Sequence, residues 1–292
     1  MTEKAFFDSL FFRIGWRLLA YPALAYAALS LVFFWLYAHP RRYTGPYLPQ
    51  DFGLKAEPVK LKTSDGVQLD AWFIPNKDSK KAVIVCHGYP MDKSDVLGLT
   101  VFLAKKFNLL YFDFRATGRS GGFFSTGGAR EVRDIDAAAD YLKSRGFASA
   151  GAFGFSMGAS SVLLSENPAI KARVLDAPYA DLGSVLDHIF APWGAWRKPL
   201  IWLMKAWSRL FMGVSVDTVN PAANAARLGT PLLLVHGDAD TQVPLANSER
   251  IKQAAPAAEL WVVKGAGHGE NWYRAGAAYE TRVTAFFDRN LK

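Results

Sequence analysis

One serine in this sequence stands between two glycines, in Gly154-Phe155-Ser156-Met157-Gly158. An apolar run, 149–155, precedes it, and a helical pattern, 157–166, follows. A G-x-S-x-G quintet arises by chance in many chains. Between a strand and a helix it has the form of a nucleophile elbow. The glycines permit a sharp turn with close backbone approach, and the helix N-terminus favours nearby negative charge. A serine hydroxyl is a weak nucleophile. It needs a base, and the base needs an orienting acid. In a strand–elbow–helix arrangement both follow the serine, acid first and histidine last.

The sequence offers five histidines. His39 flanks an N-terminal apolar stretch, His87 precedes the serine, and His188 falls in a Trp-rich insert. His236 closes an apolar run, "LLLVHG", and reads as structural. His268 lies in "KGAGHGENW", a small-residue loop after the last strand pattern, and is the expected base. The expected acid is Asp240, which opens "DTQVP" at the end of the preceding strand pattern. Asp238 and Asp176 are the alternatives, Asp238 being equally readable as a turn former. An acyl-transfer centre also needs N–H donors for a developing oxyanion. The amide of Met157 and the amide of Tyr89, in the loop after "VCHG", are the candidates.

These residues need a scaffold that brings strand ends together. Runs 58–63 and 67–75 read as strands joined by a turn at Ser64-Asp65-Gly66. Apolar runs at 81–88, 108–114, 149–155, 172–180, 231–240 and 258–265 read as strands. Helical patterns at 95–106, 129–145, 157–166, 244–254 and 276–290 alternate with them. That alternation predicts an α/β fold with a doubly wound, mostly parallel sheet, whose ligand sites lie at the carboxyl ends of the strands. Asp240, Ser156 and His268 all fall at such ends.

The chain has 292 residues, of which 51% are hydrophobic and 21% charged, enough for one large core. Cys86 is the only cysteine, so an internal disulfide and a cysteine-rich zinc site are excluded. Its apolar run, "AVIVC", predicts a buried thiol. The net charge is +8 and the pI about 9.5, yet Lys and Arg never run longer than a pair. A negatively charged membrane surface explains the excess better than nucleic acid does.

From Leu18 to Ala38 there are 21 residues without a charge, enough to cross a bilayer as a helix. Arg13 and Arg17 flank one end and Arg41 and Arg42 the other; Tyr21, Trp35 and Tyr37 lie near the ends. Residues 14–38 are the expected membrane segment and 1–40 a retained anchor, against a cleaved signal or a helix packed on the protein. The flanking charges nearly balance and give no orientation. Residues 41–57 read as a linker and 58–292 as the catalytic domain. Within it, 181–227 is an insert containing four of nine tryptophans. From Pro199 its spacing predicts a helix with Leu200, Leu203, Met204, Trp207, Leu210 and Phe211 on one side. This helix, within 193–212, is expected to act as a lid, to rest on the membrane interface, or to form an ordinary cap.

"VCHGYP", "FGFSMGAS", "VHGDADTQVP" and "GAGHGENW", in this order, resemble the α/β-hydrolase family over about 58–292. "YFDFRATGRSGG" is similar to the family's Asp-x-Arg-Gly-x-Gly-x-Ser stretch, but Ala116 stands where its first glycine is usual. Asp113 and Arg115 then read as structural. The anchor, the short insert and "STGGAREVRDIDAAADYLK" resemble the membrane-anchored Bem46-like group. The resemblance implies a hydrolase of carboxylic esters, thioesters or amides, needing no metal and no organic cofactor. The expected activity is a membrane-anchored serine hydrolase of acyl esters or thioesters. A serine peptidase or amidase of the same fold, which usually carries a gating domain, and a catalytically silent scaffold are the rivals.

Overall fold

A computed structural model describes residues 3–291, with side chains from residue 15 onward; the expected basic flank at Arg13 lies outside the described side chains. Helix α1 (Glu3–Ala38) opens the chain. Strands β1 (Glu57–Lys62) and β2 (Gln68–Ile74) form a hairpin, and β3 (Ala82–Cys86) follows. Then come α2 (Leu97–Thr100), β4 (Asn108–Phe112), α3 (Glu131–Ser144), β5 (Ala150–Phe155), α4 (Met157–Leu164) and β6 (Ile170–Asp176). The insert holds α5 (Leu182–Ile189), α6 (Arg197–Trp207) and α7 (Pro221–Ala225). The chain closes with β7 (Leu232–Gly237), α8 (Ala246–Ala254), β8 (Glu259–Val263), α9 (Asn271–Ala275) and α10 (Ala277–Asn290).

The eight strands form one sheet in the order β1-β2-β4-β3-β5-β6-β7-β8. The pairs β1–β2 and β2–β4 are antiparallel, and all later pairs are parallel. Every residue of β3, β4, β5 and β7 is buried. Apolar, β-branched runs such as Ala82–Cys86 suit strands covered on both faces. One core layer sets Ile135, Ala138 and Leu142 of α3 and Val162 of α4 against the sheet. The opposite layer sets Phe286 and Phe287 of α10 beside Phe107. The fold class is as expected from the sequence.

The differences are local. The expected helix at 95–106 is the four-residue α2 followed by a 3-10 turn, Val101–Lys105. The expected strand 172–180 stops at Asp176, because Ala177 takes φ 51° and Pro178 has no N–H for the ladder. The expected linker is laid along the body. Gly45 N–H donates to Asp92 at 2.9 Å, Arg42 donates to the Ser120 and Gly122 carbonyls, and Pro49–Phe52 forms a 3-10 turn.

Helix α1 carries one stretch, Gly15–Ala38, that is long and apolar enough to cross a membrane, with a mean hydropathy of 1.8. Most of that stretch is exposed, but its last turns dock on the insert. Phe34 and Ala38 are buried with Leu186, Phe190, Leu200, Ile201, Met204 and Met212. Trp207 Nε1 donates to Ser30 Oγ at 2.9 Å, and the Tyr26 hydroxyl donates to the Trp196 carbonyl. The insert's apolar face departs from the expected one: Leu200 and Met204 are buried, but Leu210 and Phe211 are 68% and 52% exposed. The reason is a π turn at Ser208–Met212. Its wider loop delays the helical rotation, so Met212 comes inward instead of Phe211.

Candidate active site

Strand β5 lies between β3 and β6, with Cys86 opposite Gly154 and Phe155 opposite Asp176. It delivers Ser156 to the turn before α4. Ser156 takes φ 52° and ψ −115°, a region that L residues occupy at a cost of about 1–3 kcal/mol. Its N–H is held by the Asp176 carbonyl at 2.8 Å. The flanking glycines are sterically required. A Cβ at Gly154 would lie 2.5 Å from the Ala159 backbone, and one at Gly158 would lie 2.4 Å from the His87 carbonyl oxygen.

His268 arrives from the loop between β8 and α9. Its Nε2 lies 3.0 Å from Ser156 Oγ and its Nδ1 2.7 Å from Asp240 Oδ2. This row requires Nδ1–H to donate to the carboxylate, leaving Nε2 to accept from the serine hydroxyl. Asp240 follows β7. Its other oxygen accepts from the amides of Gln242 and Val243 at 2.9 and 2.8 Å. Burial alone would raise the Asp240 carboxyl. The donors His268 and the Val243 amide, with His236 Nε2 3.5 Å from Oδ2, outweigh it, and the pKa falls well below the usual carboxylate range. The carboxylate is therefore charged throughout the neutral range.

The loop bearing His268 is clamped. Gly267 N–H donates to Glu270 at 3.0 Å. Asn271 Nδ2 donates to Asp176 Oδ1 at 2.7 Å, and the Tyr279 hydroxyl donates to Asp176 Oδ2 at 2.5 Å. Burial raises the Asp176 pKa, against those two donors. Asp176 thus braces the histidine loop and does not orient the imidazole. Asp238 accepts from the Gly265 amide at 2.6 Å, as a turn former would. Among the described residues, the N–H groups of Tyr89 and Met157 have no hydrogen-bond acceptor, so both are free to donate.

Ser156 and His268 open onto a cavity of about 990 Å³. Tyr89, Met91 and Phe155 line it from the core side, Leu186, Ile189 and Met204 from the insert, and Phe34, Tyr37 and Ala38 from α1. His188 also lines it, with Nε2–H donating to the Thr241 carbonyl at 2.7 Å. The contribution of α1 is absent from the sequence reading. A signal existed: Tyr26, Ser30, Phe33, Phe34 and Tyr37 recur at helical spacing on one side of α1.

The remaining candidates are structural. Buried His87 donates from Nδ1 to the Gly88 carbonyl at 2.6 Å and accepts the Phe114 amide at Nε2 at 2.9 Å. Asp113 pairs with buried Lys93 at 2.7 Å, and Arg115 with Asp134 and Asp65 at 2.6 and 2.8 Å. His236 Nε2–H donates to the Val243 carbonyl at 2.7 Å, shaping the loop after Asp240. Cys86 is fully buried, and burial raises its thiol pKa. Ala116 takes φ 63°, which explains why glycine suits that position. Among the described residues, no group of three or more His, Cys, Asp or Glu side chains is gathered to hold a metal.

The sequence profile of the prolyl oligopeptidase family matches residues 98–292. The chain belongs to that family. It is also 30% identical over 270 residues to the uncharacterized protein Rv2307c of Mycobacterium tuberculosis, spanning 87% of this chain and 90% of that one. It is 26% identical over 240 residues to the uncharacterized protein YqkD of Bacillus subtilis, spanning 78% of each. Among solved structures, the Pyrococcus furiosus esterase Pf2001 superposes with a TM-score of 0.72 at 31% identity, covering 87% of this chain and 98% of the esterase. The Pyrococcus horikoshii acylaminoacyl peptidase shares the fold at 17% identity, with a TM-score of 0.60, and the match covers 82% of this chain and 42% of that one. As a prolyl oligopeptidase family member with an α/β-hydrolase fold, the chain is a hydrolase.

Proposed function

We propose that this hydrolase is a membrane-anchored serine esterase or thioesterase acting on apolar acyl groups. The observation that carries the reading is the hydrogen-bonded row from Ser156 through His268 to Asp240, facing a large cavity with predominantly apolar lining. Ser156 Oγ attacks the carbonyl carbon while its proton passes to His268 Nε2. The amides of Met157 and Tyr89 donate to the oxyanion as it forms. When the tetrahedral adduct collapses, His268 returns the proton to the departing alkoxide or thiolate. Water then attacks the acyl-enzyme, gives a proton to His268, and frees the acid and Ser156. Asp240 holds the imidazole in the required tautomer and stabilises it when charged.

The length, apolarity and exposure of Gly15–Ala38 support the anchor. Exposed Trp193, Trp196 and Trp202 on the insert support an interfacial face beside it. The family match favours a second reading, hydrolysis of a peptide or other amide. The likeness to Pf2001 and the apolar lining favour esters. The test is labelling with a fluorophosphonate, followed by p-nitrophenyl esters of increasing chain length and a peptide amide. Wild type should label and Ser156→Ala should not. Amide cleavage exceeding ester cleavage would overturn the esterase reading, and folded wild type that fails to label would favour a silent scaffold.

A further inference from the structure

We propose that the last turn of α1, Phe34–Ala38, is an acyl-chain subsite, so that the substrate is a long-chain acyl ester or thioester drawn from the bilayer along α1. This rests on the serine-hydrolase reading of Ser156 and adds the substrate's length and route.

A helix that served only to tether the enzyme has no reason to enter its cavity. Here Phe34, Tyr37 and Ala38 share one cavity with Ser156, Met157 and His268. The junction is built. Ser125 N–H donates to the Ala38 carbonyl at 2.8 Å, and the Tyr89 hydroxyl lies 3.5 Å from the Leu36 carbonyl. The last turn of α1 therefore touches the loop that carries one proposed oxyanion donor. Trp207 and Trp196 fix the helix one and two turns earlier, at Ser30 and Tyr26. Phe34 is 4% exposed, whereas Leu19, four turns earlier, is 78% exposed.

One helix therefore runs from an apolar, uncovered stretch into the cavity wall without a break. An acyl chain following it stays in apolar surroundings from lipid to nucleophile, and its carbonyl end arrives at Ser156. The cavity, about 990 Å³, lies at the upper end of the roughly 300–1,000 Å³ usual for ligand sites, room for a long chain. The insert closes the other side with Leu186, Met204 and Met212.

The experiment uses the full chain in lipid nanodiscs and two probes, ethyl and dodecyl fluorophosphonate. Each forms one bond from Ser156 Oγ to phosphorus, expels fluoride, and passes the serine proton to His268. The readout is the ratio of the dodecyl to the ethyl labelling rate, in which partition into lipid is common to all variants. Phe34→Trp and Ala38→Leu fill the subsite from two positions, so the test survives if one fails to fold. Each should lower the ratio by about tenfold or more, as expected when a chain loses its pocket, with ethyl labelling little changed. Leu19→Trp, on the exposed stretch, should leave the ratio unchanged. An unaltered ratio in both filled variants, with normal ethyl labelling, overturns the subsite and leaves the nucleophile standing. An equal fall in Leu19→Trp assigns the effect to a general disturbance of α1 rather than to its last turn and also overturns it. Absence of ethyl labelling in wild type removes the Ser156 reading and this one with it.

Discussion

Replacing Gly158 by alanine tests how the elbow is held. Gly158 lies in the first turn of α4, where its Cα faces the end of β3. An added Cβ would sit 2.4 Å from the His87 carbonyl oxygen and 2.5 Å from that of Cys86, both backbone atoms of buried residues. Restoring ordinary contact needs a separation of about an ångström between α4 and β3. Overpacking of this kind costs about 1–3 kcal/mol. For a chain of this size that lowers Tm by roughly 2–12 °C. The same shift moves Ser156 and the Met157 amide away from the Tyr89 loop, and a misplacement of about 1 Å costs about a hundredfold in rate. Differential scanning calorimetry and the rate of fluorophosphonate labelling read the two effects separately. Gly98→Ala is the control, since a Cβ at Gly98 meets nothing within 4 Å. If Gly158→Ala keeps the wild-type Tm and labels within about twofold of the wild-type rate, close packing of α4 on β3 is not what positions Ser156.

Two further substitutions probe the site and its support. Asp240→Asn should slow labelling by about a thousandfold or more, because the imidazole loses the acceptor that fixes its tautomer. The folded pKa of Asp240 lies below the unfolded value of about 3.9. Its stabilising contribution is therefore present above that pH and lost as pH falls through the folded value. The Tm gap between wild type and Asp240→Asn should be widest near neutrality and close on acidification; a gap that widens in acid contradicts the assignment. Ala116→Gly should raise Tm slightly, because the left-handed conformation costs alanine about 1 kcal/mol, partly offset by the freer unfolded chain. A lower Tm in this variant shows that Ala116 is not strained.

The alternation of strands and helices and the candidate row from Ser156 to Asp240 were legible because each rests on local signals. Buried parallel strands write continuous apolar runs, and the elbow writes its glycines where backbone atoms crowd. Asp240 stood out from Asp176 because of the loop that follows it. What separates them in space is less local: Asp176 is occupied by Asn271 and Tyr279, from helices 95 or more residues later. The insert was harder to read. A single π turn at Ser208–Met212 exchanged Met212 for Phe211 on its inner face, and no periodic pattern announces such a turn. The role of α1 was hidden for a different reason. Phe34 and Ala38 are ordinary in an apolar stretch, and hydropathy does not distinguish a side chain facing lipid from one facing a cavity.

The register of β3 and β5 has a consequence for control. Cys86 and Gly154 pair directly in the middle of the sheet, so the Tyr89 loop and Ser156 spring from neighbouring strand ends with no hinge between them. The insert and α1 touch the cavity but not that pairing. A group pressing on the insert would then bear first on entry and exit, and would reach the candidate site only through His188 at the Thr241 carbonyl and, by way of α1, through the Tyr89 hydroxyl at the Leu36 carbonyl. Regulation by that route would belong to traffic, and its signature would be a change in how often Ser156 is reached, with the intrinsic speed of each encounter preserved.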